Sequence, residues 1–294
     1  MARTNAISLL AGTSTPATLA EIYGLVIENV QKSTLSTALK SQQYTGNPAA
    51  GSVEFKRFVN SAAKTYGTAR TATKGDKITA PPTTVNLNTH KEIVEEVAKF
   101  DLDTFGVAGI MQRRADNHVL TMAADLDRAF FSEASTSGTA FTPASGVTDI
   151  QDIVESMIQT LEVVKNDYTD GVDRDMMDLV LSPAQYGKLR TFLDTQSNPN
   201  VDTAGEEFGM YHGVRVYSCT RLPVTVSGEE PSQKTTTTNG ILMIRGAVAQ
   251  PVVVDQYSNP EKIPLSNDYA VSLFYDYGTK ALTPDLIFKW TTTA

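Results

Sequence analysis

No part of this chain limits its possible folds more than the stretch from Asn60 to Thr84, which cannot fold on itself. It is rich in Ala, Thr, Lys and Gly, and its large apolar or aromatic residues are only Tyr66, Ile78 and, at its edge, Val59. That is too little apolar surface to offset the entropy of ordering so many residues. Short alternating segments flank it. Val53 and Phe55 alternate with polar residues before Phe58 and Val59, and Val85 and Leu87 alternate at the far end. Period-two alternation predicts strands. The simplest arrangement over residues 51–90 is therefore a long two-stranded excursion with a polar tip near Ala72 to Asp76. Half of 40 extended residues reaches at most ~66 Å, against a radius of roughly 19 Å for a compact chain of this size.

Charge separates this arm from the segment C-terminal to it. Residues 54–77 carry Lys56, Arg57, Lys64, Arg70, Lys74 and Lys77 against Glu54 and Asp76, a balance of +4. Residues 91–103 carry Glu92, Glu95, Glu96, Asp101 and Asp103 against Lys91 and Lys99, a balance of −3. The whole chain of 294 residues has a net charge of −8. A protein whose main work is gripping a nucleic-acid backbone is usually basic, so a dedicated DNA binder is disfavoured. The arm admits three readings: a nucleic-acid element, a bland surface excursion, or an arm that docks on another copy. The first wants interleaved aromatics, and the distal half offers only Tyr66. A structureless surface loop of this length is uncommon in a compact domain. Docking against an acidic strip such as 91–103 of a second copy is the favoured reading.

The rest of the chain reads as mixed helix and strand. Thr15-Pro16 gives a helix start followed by Leu19, Ile22, Tyr23, Val26, Ile27 and Val30 at helical spacing, fading near Ser33 to Thr37. Residues 91–100 fit either a helix or a strand. A long helix is predicted from about Val107 to Ser135, with an apolar stripe through Ile110, Met111, Val119, Met122, Ala123, Leu126, Ala129 and Phe130. Such a helix would span roughly 43 Å. Residues 135–147 read as a loop. Thr148 to Gln151 reads as a capping box ahead of an amphipathic helix through Ile150, Ile153, Val154, Met157, Ile158, Leu161 and Val164. Asp178 to Leu181 reads as a buried strand, and Ser182-Pro183 opens a helix with Tyr186, Leu189, Phe192 and Leu193. His212-Gly213 turns into a strand from Val214 to Ser218, closed by Leu222-Pro223. Residues 227–239 read as a polar loop ending in a tight turn at Asn239-Gly240. Strands follow over Ile241–Ile244, Val252–Val254, Ala270–Tyr275 and Leu286–Trp290. No internal repeat is present.

The search for chemistry returns mostly exclusions. His90, His118 and His212 are far apart and form no zinc-binding spacing. Nucleophile-elbow and phosphate-loop motifs are absent. No metal, cofactor or catalytic residue is expected. The single cysteine, Cys219, rules out an intrachain disulfide and suits a reducing cytoplasm. Its proximity to His212 suggests a thiol nucleophile, but a small packed hydrophobe is the better reading. Glu95-Glu96 and Glu206-Glu207 read as solvated charge rather than acid–base pairs. No run of 18 apolar residues exists, so no membrane-spanning helix is expected.

Three stretches in order carry a resemblance: Asp-Leu-Asp-Arg-Ala-Phe-Phe-Ser-Glu-Ala over 125–134 at the end of the long helix, Leu-Val-Leu-Ser-Pro-Ala-Gln-Tyr-Gly-Lys-Leu-Arg over 179–190, and the segment from Gly209 to Pro223 with its Val-x-Val strand and Leu-Pro. Over roughly residues 16–290 the chain resembles tailed-bacteriophage major capsid proteins, which share their fold with encapsulins. The resemblance implies an α+β fold with an N-terminal arm and first helix (1–48), an extended hairpin loop (49–90), a peripheral domain with a long spine helix (91–147) and an axial α/β domain (148–240). Residues 241–294 would supply C-terminal strands that return to the peripheral domain and end in the axial domain. It also implies a structural protein, not an enzyme, found in the virion capsid and assembled in the host cytoplasm. Copies would form hexamers and pentamers of an icosahedral shell around double-stranded DNA held without sequence specificity. Only about 15 residues precede the first helix, which points to a separate scaffolding protein. A portal protein and a decoration protein are further expected partners. Some members crosslink a loop lysine, but nothing here singles one out. The alternatives are an encapsulin-type shell, a cytosolic α/β hydrolase, or a phage tail or decoration protein, for which the long helix has no evident use.

Overall fold

The computed structural model describes residues 35–41, 51–72, 75–195, 209–228, 233–254 and 261–293. The helix expected from Thr15 onward lies outside them. Where that helix was expected to fade, a short helix α1 forms at Leu35–Leu39. The reason is tertiary: the buried carboxylate of Asp127 accepts hydrogen bonds from the amides of Leu35 (3.4 Å) and Ser36 (3.0 Å), and so satisfies the first turn.

Strand β1 (Ser52–Lys56) pairs antiparallel with β2 (Pro82–Asn86). The alternation seen in sequence places Val53, Phe55 and Val85 on one buried face, against Ala249 and Leu282. Between the strands the chain runs out without sheet pairing, apart from one hydrogen bond from the Val59 amide to the Thr79 carbonyl (3.0 Å) and a single helical turn, α2 (Thr68–Thr71).

The ambiguous segment 91–100 divides. Strand β3 occupies Thr89–Val97, and helix α3 begins at Lys99. Helix α3 runs to Ser137, 39 residues, or about 58 Å, longer than its sequence pattern indicates. Its second half buries Met122, Ala123, Leu126, Phe130, Phe131 and Ala134. The expected loop after it is also shorter: β4 (Thr139–Phe141) joins a sheet.

Two sheets organise the remainder. The smaller joins β3 to β15 (Tyr269–Tyr277), whose other edge carries β13 (Val252–Val254) and β14 (Glu261–Lys262). The larger follows the order β4, β17 (Ile287–Thr293), β11 (Lys234–Ile244), β7 (Met177–Leu181), β9 (Val214–Ser218), β8 (Met210–Tyr211), with β10 (Val224–Ser227) on β11. Two short ribbons complete the strands: β5 (Lys165–Asn166) with β6 (Thr169–Asp170), and β12 (Val248–Ala249) with β16 (Lys280–Ala281). Period-two alternation gives the larger sheet two buried faces. Leu179, Leu181, Leu242, Phe288 and Trp290 pack under helices α4 (Ile150–Glu162) and α5 (Pro183–Thr195). Val180, Ile241, Met243 and Ile287 pack against Phe130, Phe131 and Ala134 of α3. The sheet is thus sandwiched between helices, as the strand–helix alternation predicts.

Three local expectations differ. Helix α4 starts after Asp149, and no side chain caps it, so the Thr148 capping box does not form. The expected polar loop 227–239 is mostly strand: β10 and β11 form a hairpin whose connecting residues 229–232 lie outside the described residues. Asn239-Gly240 is not a turn but the interior of β11, at a bulge between Thr238 and Gly240. Glycine is there for space, not for turning: a Cβ would come within 2.8 Å of the Leu181 side chain and 3.3 Å of the Val180 carbonyl. His212-Gly213, by contrast, is a true tight turn. Both residues have positive φ, 46° and 90°, between the paired Tyr211 and Val214.

Gly240→Ala is expected to overpack this buried crossing and to cost about 1–3 kcal/mol. Urea unfolding monitored by circular dichroism checks this, and an unchanged midpoint would contradict it.

Candidate assembly interface

The arm is fastened firmly at its root. Arg57 donates to both carboxylate oxygens of Asp285 (2.7 and 3.0 Å) and to the Thr169 hydroxyl (3.2 Å). Its guanidinium lies 4.4 Å over the Tyr168 ring. Asn166 donates to the same carboxylate at 2.6 Å, and the Asn60 amide donates to the Asp167 carbonyl at 2.8 Å. These partners belong to the small hairpin of β5 and β6 and to the turn Pro284–Leu286. Burial pushes the Asp285 carboxyl up, but the hydrogen bonds from Arg57 and Asn166 outweigh it and hold the group below its ordinary value. A cleft of about 480 Å³ opens here, lined by Arg57, Thr83, Tyr168 and Asp285 among others.

Beyond Asn60 the arm stands in solvent. Tyr66 is 94% exposed and Ile78 86%, and Phe58, just before Asn60, is already 62% exposed. Lys64 pairs with Asp76 across the arm at 2.6 Å, and Lys56 with Glu54 along β1 at 3.4 Å. Lys77 is exposed. The side chain of Arg70 and all of Lys74 lie outside the described residues.

The acidic residues do not form one strip, because strand periodicity divides them. Glu92 and Glu96 lie on the exposed face of β3, where they are paired in register with Phe274 and Ala270 of β15. Glu95 points the other way, to 3.3 Å from His118 on α3, a histidine only 5% exposed. Asp103 is exposed and pairs with Lys99 one helical turn away, at 3.2 Å. The side chain of Asp101 lies outside the described residues.

Sequence reasoning missed the ionic groups, some buried and some half-buried, that fix the body behind the arm. Asp127 (2% exposed) binds Arg221 at 2.6 Å while capping α1. Asp178 (1% exposed) receives Arg245 at 3.1 Å, with Arg215 at 3.8 Å. On α4, Glu155 and Glu162 grip Arg174 at 2.8 and 2.7 Å, and Glu155 also meets His212 at 2.8 Å. Asp125 accepts from the hydroxyls of Tyr275 (3.0 Å) and Tyr277 (3.2 Å). Burial and the Asp125 charge push the Tyr277 phenol up to about 12. The available signal was an aspartate within an apolar stretch, as at Asp127 and Asp178. Cys219 is buried at the far side of the sheet, its thiol pushed up by burial, and His212 stacks on Tyr211 instead (4.1 Å between rings). Glu206 and Glu207 lie outside the described residues. Among the described residues no three His, Cys, Asp or Glu side chains converge to hold a metal, and no helix is long and apolar enough to cross a membrane.

A two-sheet body threaded by one long helix, with a polar arm anchored at its root and exposed beyond it, suits a protein that packs beside copies of itself. A model of the phage capsid protein family matches residues 91–290, and the chain belongs to that family. It is a structural protein of the virion capsid, and it self-associates into the shell. Its fold matches the structure from Mycobacterium phage Che8 (TM-score 0.55, 18% identity, 86% of this chain and 93% of that one). It also matches the capsid of Ralstonia phage GP4 (TM-score 0.55, 15% identity, 83% and 84%) and a virus-like particle from Pyrococcus furiosus (TM-score 0.54, 12% identity, 92% and 98%). No curated protein matches the sequence. Family membership favours the coat-protein reading over the hydrolase alternative.

The Glu155 cluster makes a pH prediction. Its hydrogen bond from Arg174, aided by His212 and Gln159, lowers the carboxyl from 4.5 to about 2 against the opposing effect of burial. A depressed pKa contributes stability above 4.5 that is lost as pH falls towards 2. Glu155→Gln is therefore expected to be about 1–2 kcal/mol less stable than the parent at pH 7, with solvent screening of this partly exposed cluster taken into account, and to converge with it near pH 2. Denaturant midpoints across that range test this, and parallel curves would contradict it.

Proposed function

We propose that this chain is the coat subunit of an icosahedral shell that encloses the double-stranded DNA of a tailed phage. The observation that carries the reading is an arm fixed at its root and exposed along its length. Its root is clasped, and among the described residues nothing within the subunit covers Tyr66 or Ile78. In this reading the chain divides as the resemblance implies: arm and first helix over 1–48, extended loop over 49–90, peripheral domain over 91–147, axial domain over 148–240, and closing strands over 241–294. The extended loop lies across a neighbouring subunit of a hexamer or pentamer. Lys56, Lys64, Arg70, Lys74 and Lys77 then face Glu92, Glu96, Asp101 and Asp103 of another copy. Arg57 and Glu95 stay with their own subunit, because Asp285 and His118 already engage them. The pairs Lys64–Asp76 and Lys56–Glu54 are surface pairs of about 0–1 kcal/mol and can exchange partners on docking. Many modest contacts then add through a closed lattice.

The net charge of −8 supports packaging without a specific grip on DNA. A separate scaffolding protein, a portal protein and a decoration protein complete the partners, with assembly in the host cytoplasm. An encapsulin-type shell is the second reading, because the fold that the resemblance implies is one encapsulins share. Nuclease-protected double-stranded DNA in purified particles distinguishes the two, and protein cargo with no DNA would overturn the phage reading.

Replacing residues 61–79 with a short Gly-Ser turn removes the exposed arm but keeps the Arg57 clasp. The shortened subunit is expected to keep its melting temperature within a few degrees, since surface segments contribute little to stability, and to form no closed shells by negative-stain microscopy. Normal shells from it would refute the arm-docking proposal.

A further inference from the structure

The arm has two legs, and the clasp at Arg57 holds only the first. The second leg leaves the body at a corner. Strand β3 pairs with β15, and its first residue, Thr89, lies opposite Tyr277. Three residues earlier the same run belongs to the arm. Asn86 of β2 lies opposite Ser52 of β1, and the Leu87 amide donates to the Gly51 carbonyl at 2.9 Å. Between Asn86 and Thr89 the chain therefore passes from one hydrogen-bonded partner to another. The angle of that corner is the angle at which the arm stands on the body.

Gly278 fills the inside of the corner. It follows Tyr277 at the end of β15, and its amide donates to the Pro251 carbonyl at 3.3 Å. A Cβ on Gly278 would run into the Asn86 carbonyl oxygen. It would also lie 2.8 Å from the carbon of that carbonyl and 3.3 Å from the Leu87 amide nitrogen. All of these atoms are backbone, so no side chain can swing aside. The φ of Gly278 lies outside the left-handed region, so glycine serves close approach here rather than turning. Two residues on, Lys280 donates to the Thr84 carbonyl at 3.1 Å and holds the same leg down. The arm thus rests on one point, at Gly278, and is tied at a second, at Asp285.

We infer that Gly278 is a positioning residue for assembly: by letting two backbones touch at the corner, it sets the angle at which the arm reaches a neighbour. The inference rests on the coat-protein reading and on the arm docking proposed with it. Leverage makes the contact matter. A Cβ at Gly278 requires the Asn86 carbonyl to lift by about 1 Å to reach ordinary van der Waals separation. Arg57 lies five residues beyond Ser52, about 16 Å along the strand, and the arm runs at most ~50 Å further to Ala72. A lift of that size behind the clasp moves the tip by about 3 Å. Ion pairs act within about 4 Å, so the arm's lysines lose their register with a neighbour's carboxylates.

The test is Gly278→Ala, with Gly187→Ala as the control, because a Cβ at Gly187 meets nothing within 4 Å. Spin labels are placed at Tyr66→Cys on the arm and, in turn, at Val163→Cys and Leu120→Cys on the body. All three sites are exposed, and Cys219 is buried away from the label. Double electron–electron resonance on labelled chain, diluted into an excess of the same chain unlabelled, reads distances within one subunit. Gly278→Ala is expected to shift at least one of the two mean distances by about 3 Å, and without labels to form no closed shells by negative-stain microscopy. Gly187→Ala is expected to change neither. Unchanged distances overturn the inference whether or not shells form. Shifted distances with normal shells overturn the link between arm angle and assembly. If the parent chain forms no shells at all, the coat-protein reading fails, while the distances still decide whether Gly278 sets the angle. Should Gly278→Ala not fold, Lys280→Met loosens the same leg without crowding the corner. Broader distances and fewer shells from it support the inference, and unchanged ones overturn it.

Discussion

Every other part of the subunit is positioned by the seating of the long helix between two sheets. Its end inserts Phe130 and Phe131, both fully buried and edge-to-face at 5.3 Å between ring centroids, against Val180, Ile241, Met243 and Ile287. One turn earlier, Asp127 is buried with them. A lone buried carboxylate would be costly. This one is satisfied by Arg221 and by the amides of Leu35 and Ser36, so a single charge ties together helix, sheet and N-terminal segment. Nearby, Asp125 takes hydrogen bonds from Tyr275 and Tyr277 of the other sheet. The two sheets are thereby referenced to one axis about 58 Å long.

The arm inherits its position from that frame. Its strands pack on Ala249 and Leu282, in the segments leading out of β11 and into β17. Arg57 then locks it to Asp285, just before the last strand. The polar distal half lacks the apolar surface to fold back, so its direction is set entirely at the root. In the proposed shell subunit this divides the work: a packed body and a clasped root, with the exposed length available to a neighbour.

Much of this was legible in the sequence. Val53, Phe55 and Val85 announced β1 and β2 by alternation, and Ser182-Pro183 marked the start of α5. Leu179 to Leu181, unbroken and apolar, announced a strand covered on both faces. Errors fell where a tertiary partner overrode a local signal. Asn239-Gly240 carries turn chemistry, yet Gly240 answers to Leu181 pressing on it from β7. The threonines of 235–238 look like a polar loop, but they are β-branched and pair with Val224–Ser227 on one side and with Thr291–Thr293 on the other. Among the candidate interface residues, charge sign could be read directly, whereas orientation could not: Glu95 and Glu96 are neighbours in sequence and face opposite sides of β3.

Local composition and spacing were enough to establish the period of most elements, the presence of a long coreless arm, and the opposite signs of the arm and the segment after it. Folding added what no local pattern contains: that Arg57 is engaged by its own subunit, that the buried aspartates are paired, and that β10 pairs with β11. Those outcomes depend on which distant groups the fold brings within hydrogen-bonding distance. The arm from Asn60 to Thr84 remains what its composition required, a segment that cannot fold on itself. Where it leaves the body, however, is set by contacts more than 100 residues away in the chain, since Arg57 reaches Asp285 and Thr169 only once the sheets have assembled.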